Sequence, residues 1–475
     1  MNGSLVSTGA GLAILGLYWG ASVLVTRMLP APRTKEQFLV AGRSLGGWAS
    51  AFSIAATWIW APALFLAAEK AYTQGLAGVF WFTAPNVLCL VVFAYFAERI
   101  RDRVPEGFTL SAYMGYRFSR RVQSLYVLEM GGLAVCSFAV QLLAGGKVLA
   151  YLTGLNFFGL TLLLAAIALS YSMLGGLRSS VVTDYLQMVV ILLVGGVCLA
   201  WVLNRTGGWA VVRAGLGGAS GRFGGLLSDG GLQVAVGFGI PVTIGLMAGP
   251  FGDQSFWQRA FATRQNQVRA AFIRGALIFG IVPLMMACLG FVAAGLGWKI
   301  QDTSLANLEV IARVLPAWVM IPFVVMLLSG LISTLDSNLC AISSIAGHDL
   351  RVRTDPSRTG RQLRLSRAGM LLLAVAGVAV ANIPGMQILY LFLFYGTLRA
   401  STLLPTVIAL LRDRVSEKGM FYGILAAILV GLPVFSYGNF THHTAWTVTG
   451  SLMTVLTSGL ATLIASFRPG RDSSG

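Results

Sequence analysis

Again and again along this chain, about twenty predominantly apolar residues follow one another with almost no charge, and that repetition leaves few architectures open. The hydrocarbon core of a bilayer, roughly 30 Å thick, takes about 20 helical residues to cross. No water is available there, so each backbone N–H and C=O must find its partner inside the chain. The runs lie near 5–27, 46–68, 75–97, 122–152, 157–174, 181–203, 231–250, 270–295, 316–347, 368–383, 386–411, 420–436 and 446–466. A membrane barrel would instead alternate polar and apolar residues in short strands, which these unbroken runs do not do. Charged residues make up 11% of the chain, against roughly 25% in a soluble domain. The expectation is an all-α polytopic membrane protein with about 13 transmembrane helices and no soluble domain between them.

A net charge of +17 would point to nucleic acid in a soluble chain, but its distribution gives a different account. Of 34 basic residues, 26 fall in alternate connections: Arg27 to Arg43, Arg99 to Arg121, Arg178, Arg259 to Arg274, Arg351 to Arg367, Arg412 to Lys418, and Arg468 with Arg471. By the positive-inside rule those connections are cytoplasmic. The N-terminus is then outside and the C-terminus inside, as an odd number of spans requires, and the expected location is a bacterial inner membrane. The first span has no basic residue before it and is read as a retained helix, not a signal peptide. The charge pattern leaves the lipid bilayer as the expected partner here, with no nucleic acid and no obligate protein partner. Cys89, Cys136, Cys198, Cys288 and Cys340 lie in or near apolar runs without metal spacing and read as small buried hydrophobes. His348, His442 and His443 have no second ligand at helical spacing, so no transition-metal site is expected.

Polar residues interrupt the apolar pattern in a few places only. Pro62 has no amide hydrogen and clashes with the carbonyl one turn back, so a carbonyl around Ala56 to Ile59 is freed near mid-span. A freed carbonyl binds cations, although a simple packing kink has the same sequence sign. In the ninth span Ser333, Asp336 and Ser337 lie on one helical stripe beside Thr334. Hydroxyls plus carbonyls supply the oxygen ligands a hard cation wants without burying several charges. Back-bonding to carbonyls one turn earlier accounts for Ser329 equally well, but not for Asp336 or Asp184. Carboxylates at membrane depth need a cation, a proton or water.

Three segments resemble the sodium:solute symporter family: Phe38-Leu39-Val40-Ala41-Gly42-Arg43-Ser44-Leu45-Gly46; Tyr171-Ser172-Met173-Leu174-Gly175-Gly176-Leu177-Arg178 with Thr183-Asp184-Tyr185-Leu186-Gln187; and Ser333-Thr334-Leu335-Asp336-Ser337. The resemblance implies two five-helix repeats of inverted topology. These would map to 46–203 and 231–411, with an accessory helix and inner loop in 1–45, an outer connection over 204–230 and accessory helices with a tail in 412–475. Pro241, Gly249 and Pro250 then make the seventh span the partner of the Pro62 helix. It also implies a sodium site on the carbonyls of Ala56, Ile59 and Gly330 and the hydroxyls of Ser333 and Thr334. A second sodium or proton site would fall on Asp184, Asp336 and Ser337. Asp336 stands where family members with that second ion have a hydroxyl, which leaves the stoichiometry open.

Thr57 to Ala61, Gln74 to Trp81, Leu152 to Asn156 and Gly252 to Gln258 further resemble the urea and polyamine branch. The expected solute pocket uses Trp58, Trp60, Phe80 and Trp81 as flat walls and Gln74 and Gln141 as amide partners. The expected function is a symporter, not an enzyme, that imports urea or a related small nitrogenous solute with sodium by alternating access. Proline, another small amino acid or a monocarboxylate is the alternative cargo, and an ion or solute channel the alternative class.

Overall fold

The computed structural model describes residues 8–351 and 359–467. Arg353, Arg358, Arg468 and Arg471, part of the charge pattern above, lie outside the described residues. Everything that spans is helical: α1 (Thr8–Met28), α2 (Gly47–Trp58), α3 (Pro62–Arg103), α4 (Arg120–Thr153) and α5 (Phe157–Thr206). The second half adds α6 (Asp229–Met247), α7 (Gln254–Ala262), α8 (Val268–Gly295), α9 (Met320–His348), α10 (Thr359–Ala381), α11 (Ile388–Leu411), α12 (Glu417–Phe440) and α13 (Thr444–Phe467).

Eleven of these helices are long and apolar enough to cross a membrane, and two of them do double service. At about 1.5 Å per residue, the 50 residues of α5 and the 42 of α3 far exceed a core about 30 Å thick. Each folds back at a single glycine: Gly176 at φ 60°, ψ −151° in α5 and Gly75 at φ 55°, ψ −150° in α3. That region is open essentially to glycine alone. With α2 and the start of α3 forming one broken span, and α6 and α7 another, the total among the described residues is thirteen.

One helix precedes two units of five spans, and two helices follow. Because five is odd, the second unit enters the membrane from the side opposite to the first, which makes the repeats inverted. Each unit opens on a broken helix. The first break, Ile59 to Ala61, precedes Pro62 and a wide turn in which Ala67 N–H donates to Pro62 O. The second falls at Asp253, in an extended conformation between the Gly249–Gly252 turn and α7. The seventh span therefore does not stop near residue 250, as the hydropathy suggested; it resumes as α7. Burial separates centre from periphery: 78% of the most apolar window of α9 is buried, against 22% for α1. Helix α9 packs on α5 and α10, while α8 packs on α3 and α2.

Connections close both ends of the bundle. Outside the spans, the glycine-rich stretch after Ala214 covers the Gly75 hinge, where Leu76 N–H donates to Leu216 O at 2.7 Å and Ala77 N–H to Phe223 O at 3.2 Å. At the other end, the segment after the short helix Lys35–Val40 turns through left-handed Ala41, Gly42 and Arg43. Leu45 then pairs with the end of α7, its N–H donating to Ala262 O at 3.1 Å. Gly176 faces the short helix itself, and a Cβ there would stand 2.4 Å from Phe38 O. Gly176→Ala is accordingly expected to lose most of its folded yield, since strain of about 1–3 kcal/mol adds to a backbone collision. Size-exclusion profiles of detergent-extracted protein check this; a single peak at wild-type yield would show that the hinge tolerates a side chain.

Candidate functional site

The three residues of the first break face two different neighbours. Ile59, at φ −83° and ψ 80°, points its carbonyl at α9, where Thr334 Oγ1 lies 3.2 Å from Ile59 O, 3.2 Å from Gly330 O and 3.4 Å from Thr57 O. Ala61 turns its N–H the other way, donating to Gln141 Oε1 of α4 at 2.7 Å. Gly330 lets α9 come this close, since a Cβ on it would stand 3.1 Å from Ile59 Cγ2 and 3.4 Å from Ile59 O. The structure thus brings Ile59, Gly330 and Thr334 together as uncharged oxygens. The Ala56 carbonyl adjoins them but accepts Ile59 N–H at 3.1 Å. Such oxygens suit a hard cation once the Thr334 hydroxyl turns its proton outward. Ser333, one position earlier on α9, aims elsewhere: its hydroxyl donates to Asp184 Oδ1 at 2.5 Å.

Asp184 is fully buried, and so is its counter-charge. Arg259 of α7 places Nη2 2.9 Å from Asp184 Oδ2 and 2.8 Å from Ser337 Oγ, with Nε 2.9 Å from Ser53 Oγ. Both side chains are 0% exposed. This corrects the charge map: Arg259 is not a loop charge on the inner face but a resident cation in the core. It also revises the second ion position. Of the three residues assigned to it, Asp184 and Ser337 already hold the guanidinium between them. Asp336 stands beside that pair, 3.4 Å from Ser337 Oγ, and accepts chiefly from Tyr171 Oη at 2.7 Å, Ser180 Oγ at 2.8 Å and Thr183 Oγ1 at 3.3 Å. It is a carboxyl surrounded by hydroxyl donors.

Beyond Ala61 lies an aromatic chamber. Trp58 and Trp60 stack with centroids 5.8 Å apart, and Tyr395 meets Trp60 edge-on at 5.0 Å. Arg399 of α11, only 2% exposed, lies over Tyr395 at 3.9 Å and pairs with Asp253 of the second break at 3.5 Å. Several buried polar atoms around it have no partner: the donors Trp60 Nε1, Gln141 Nε2 and Arg399 Nε, and the acceptors Asn86 Oδ1 and Glu129 Oε2. Asn86 is tied to the chamber through its own carbonyl, which accepts Trp58 Nε1 at 3.2 Å. Glu129 reaches it through Thr402, one turn from Arg399, whose hydroxyl donates to Glu129 Oε1 at 2.9 Å. The cavity beside Trp60, Phe392 and Arg399 measures about 10 Å³, room for one water at most, so the arrangement is closed.

Not every expected wall is there. Phe80 is 41% exposed, and among the described residues its ring contact is with Trp81, at 5.5 Å; neither ring contacts Trp58 or Trp60. Both follow the Gly75 hinge, on the returning arm of α3. Gln74 sits at that hinge with Oε1 buried and unpartnered. Arg399 and Asp253 are functional candidates that the sequence reading does not reach, although an arginine inside an apolar run is itself a sign of function. At the C-terminal end of α9, Asp349 accepts from Thr109 Oγ1 at 2.6 Å and from Ser111 Oγ, while His348 Nδ1 lies 2.7 Å from Lys35 Nζ. Burial pushes the Asp349 carboxyl up to about 6 against those two hydroxyls. Among the described residues no cluster of His, Cys, Asp or Glu forms a metal site.

A family model described as the sodium:solute symporter family matches residues 38–427. Among curated relatives, the urea-proton symporter DUR3 of Oryza sativa subsp. japonica is 25% identical over 92% of this chain and 67% of its own length. The sodium/pantothenate symporter of Escherichia coli is 26% identical over 88% of each chain. The fold matches that of a Na+-coupled sialic acid symporter in a substrate-bound outward-open state, with a TM-score of 0.76, 16% identity and coverage of 96% and 98% of the two chains.

Proposed function

From the premise that this chain belongs to the sodium:solute symporter family, and so carries a small polar solute with sodium by alternating access, we propose that its solute is urea or a closely related small nitrogenous molecule. The observation behind this reading is the set of unpartnered atoms around the Trp58–Trp60 stack. Urea is flat, neutral, and carries one acceptor flanked by four N–H donors. Its carbonyl complements the donors of Trp60, Gln141 and Arg399, and its amides complement the oxygens of Asn86 and Glu129. A buried polar atom left without a partner costs about 1–3 kcal/mol, so a solute that satisfies several at once gains specificity as well as affinity. Relatives named as urea transporters agree with it.

We assign the coupling sodium to Ile59, Gly330 and Thr334, with Ile59 O and Thr334 Oγ1 as its centre, and with Ala56 and Ser333 joining once the Ala56 carbonyl gives up Ile59 N–H and the Ser333 hydroxyl turns from Asp184. Ion and solute then share one three-residue break. Sodium would hold Ile59 against α9, which fixes the turn that presents Trp60 and Ala61 to Gln141. By linkage, each ligand raises the affinity of the other by the same factor. A potential of 100 mV adds about 2.3 kcal/mol per charge, or roughly fiftyfold accumulation for one net charge. The repeats that rock around this site are taken as 46–203 and 231–411, in a bacterial inner membrane with the N-terminus outside.

Proteoliposomes test the reading directly. An inward sodium gradient is expected to concentrate labelled urea and to leave it chemically unchanged, with putrescine, proline and pyruvate weaker. Concentrative uptake of proline or pyruvate in preference to urea would reassign the cargo and make Arg399 a carboxylate partner; uptake that only equilibrates would mark a channel. Gln141→Leu removes one donor to the solute and the anchor of Ala61, and is expected to weaken solute affinity about tenfold or more while sodium binding stays measurable. Solute affinity within twofold of wild type would move the pocket elsewhere.

A further inference from the structure

We propose that the seam between α1 and the second half of α5 is a binding site for one anionic phospholipid, with Arg27 and Arg178 on its phosphate and an acyl chain along α1. A cleft of about 350 Å³ runs between α1, α5 and α9, lined by Leu17, Ala21, Val25, Leu186, Val190 and Val325 among others. A second cavity, of about 220 Å³, is lined by Thr26, Arg27, Pro30, Arg178 and Ser179. The two are neighbours along both helices. On α1 the cleft ends at Val25 and the cavity begins at Thr26. On α5, Thr183 lines the cleft and donates to the carbonyl of Ser179, which lines the cavity, at 3.0 Å.

Length and charge together select the occupant. From Ile14 to Val25, the α1 wall of the cleft, a helix rises about 16 Å, close to one leaflet of a hydrocarbon core about 30 Å thick. At the end of that leaflet stand two exposed guanidinium groups. Neither takes part in any ion pair among the described residues, and neither donates a hydrogen bond there. Phosphate oxygens accept from guanidinium in paired, charge-assisted bonds. A choline or ethanolamine headgroup brings its own cation beside these two, whereas a glycerol headgroup does not. The chemistry therefore favours phosphatidylglycerol over a zwitterionic lipid. Thr183, on the α5 wall of the cleft, also has its hydroxyl 3.3 Å from Asp336 Oδ2, so the lipid lies one side chain from the buried carboxyl.

The test uses full-length protein in neutral detergent, titrated with phosphatidylglycerol, with phosphatidylcholine of the same chains, or with inorganic phosphate. Native mass spectrometry counts bound lipid, and thermal unfolding reads stabilisation by any of the three. One phosphatidylglycerol is expected to bind about thirtyfold tighter than phosphatidylcholine, the effect of two surface guanidinium groups on an anionic lipid, and inorganic phosphate is expected to give no stabilisation. Arg27→Gln with Arg178→Gln should abolish the preference, and Arg27→Lys with Arg178→Lys should keep most of it. Ala21→Phe, which fills the cleft and leaves both arginines, should also lose the lipid. Equal binding of the two lipids, stabilisation by phosphate alone, or an undiminished preference in the glutamine pair or in Ala21→Phe would overturn the proposal.

Discussion

Arg259→Gln is expected to destabilise the protein by about 3–5 kcal/mol and to abolish transport, because it leaves the Asp184 carboxylate buried without its cation. The loss is a desolvation effect. Asp184 would keep the hydroxyls of Ser53 and Ser333, but two hydroxyls do not replace a guanidinium at 2.9 Å in a place no water reaches. Asp184→Asn alone should be damaging for the mirror reason, since it strands Arg259. The double variant Arg259→Gln with Asp184→Asn removes both charges and should regain most of the stability. Unfolding midpoints of the four proteins complete a double-mutant cycle. Additive losses would mean that the two groups do not depend on each other, and the pair would then not be the resident charge balance of the core.

The second large effect is expected at Thr334. Thr334→Ala removes the one side-chain oxygen that meets Ile59 O, Thr57 O and Gly330 O together. A hydrogen bond or ligand to a charged partner is worth about 1.5–3 kcal/mol, which predicts roughly ten- to a hundredfold more sodium for half-maximal uptake. Thr334→Ser keeps the oxygen and should stay near wild type. Ser333→Ala should also weaken sodium activation, and in addition lower stability, because its hydroxyl is committed to Asp184. The readout is uptake against sodium concentration at fixed solute. Unchanged sodium dependence in Thr334→Ala would move the coupling ion away from the Ile59 break.

Local pattern carried the spans and tertiary contact carried the site, and the difference is physical. Apolar runs, Pro62 and the paired Gly175-Gly176 act within a few residues of themselves, so their consequences could be read along the chain. Even the folding back of α5 at Gly176 falls between the two runs read as 157–174 and 181–203. Arg259 could not be placed that way. It follows a proline-broken run and adjoins further arginines at Arg264 and Arg269, so hydropathy reads it as part of a basic loop. Its partner stands 75 positions upstream. One clue is available: Asp184 lies at membrane depth, where a carboxylate needs a cation, a proton or water, and the expectation of a second sodium or a proton there meets a cation that the chain itself supplies. Arg399 was passed over for a different reason, since it sits within an apolar run long enough to span despite one charge. Phe80 and Trp81 had the right chemistry but stand on the far arm of the Gly75 hinge, which sequence spacing does not reveal.

Coupling stoichiometry is where these assignments meet. If the guanidinium of Arg259 neutralises Asp184 and takes up the Ser337 hydroxyl, one sodium at Ile59 and Thr334 remains to drive the solute. The relative from rice is named a urea-proton symporter, which makes the identity of the ion as informative as its number. The decisive measurement is the reversal potential of solute-coupled current in proteoliposomes, with sodium, proton and urea gradients set independently. Expected is a shift with the sodium gradient that corresponds to one sodium per urea, no shift with the proton gradient, and loss of the sodium response in Thr334→Ala. A ratio of two sodium ions per urea, or a reversal potential that follows pH and ignores sodium, would overturn the assignment of a single coupling sodium to Ile59 and Thr334.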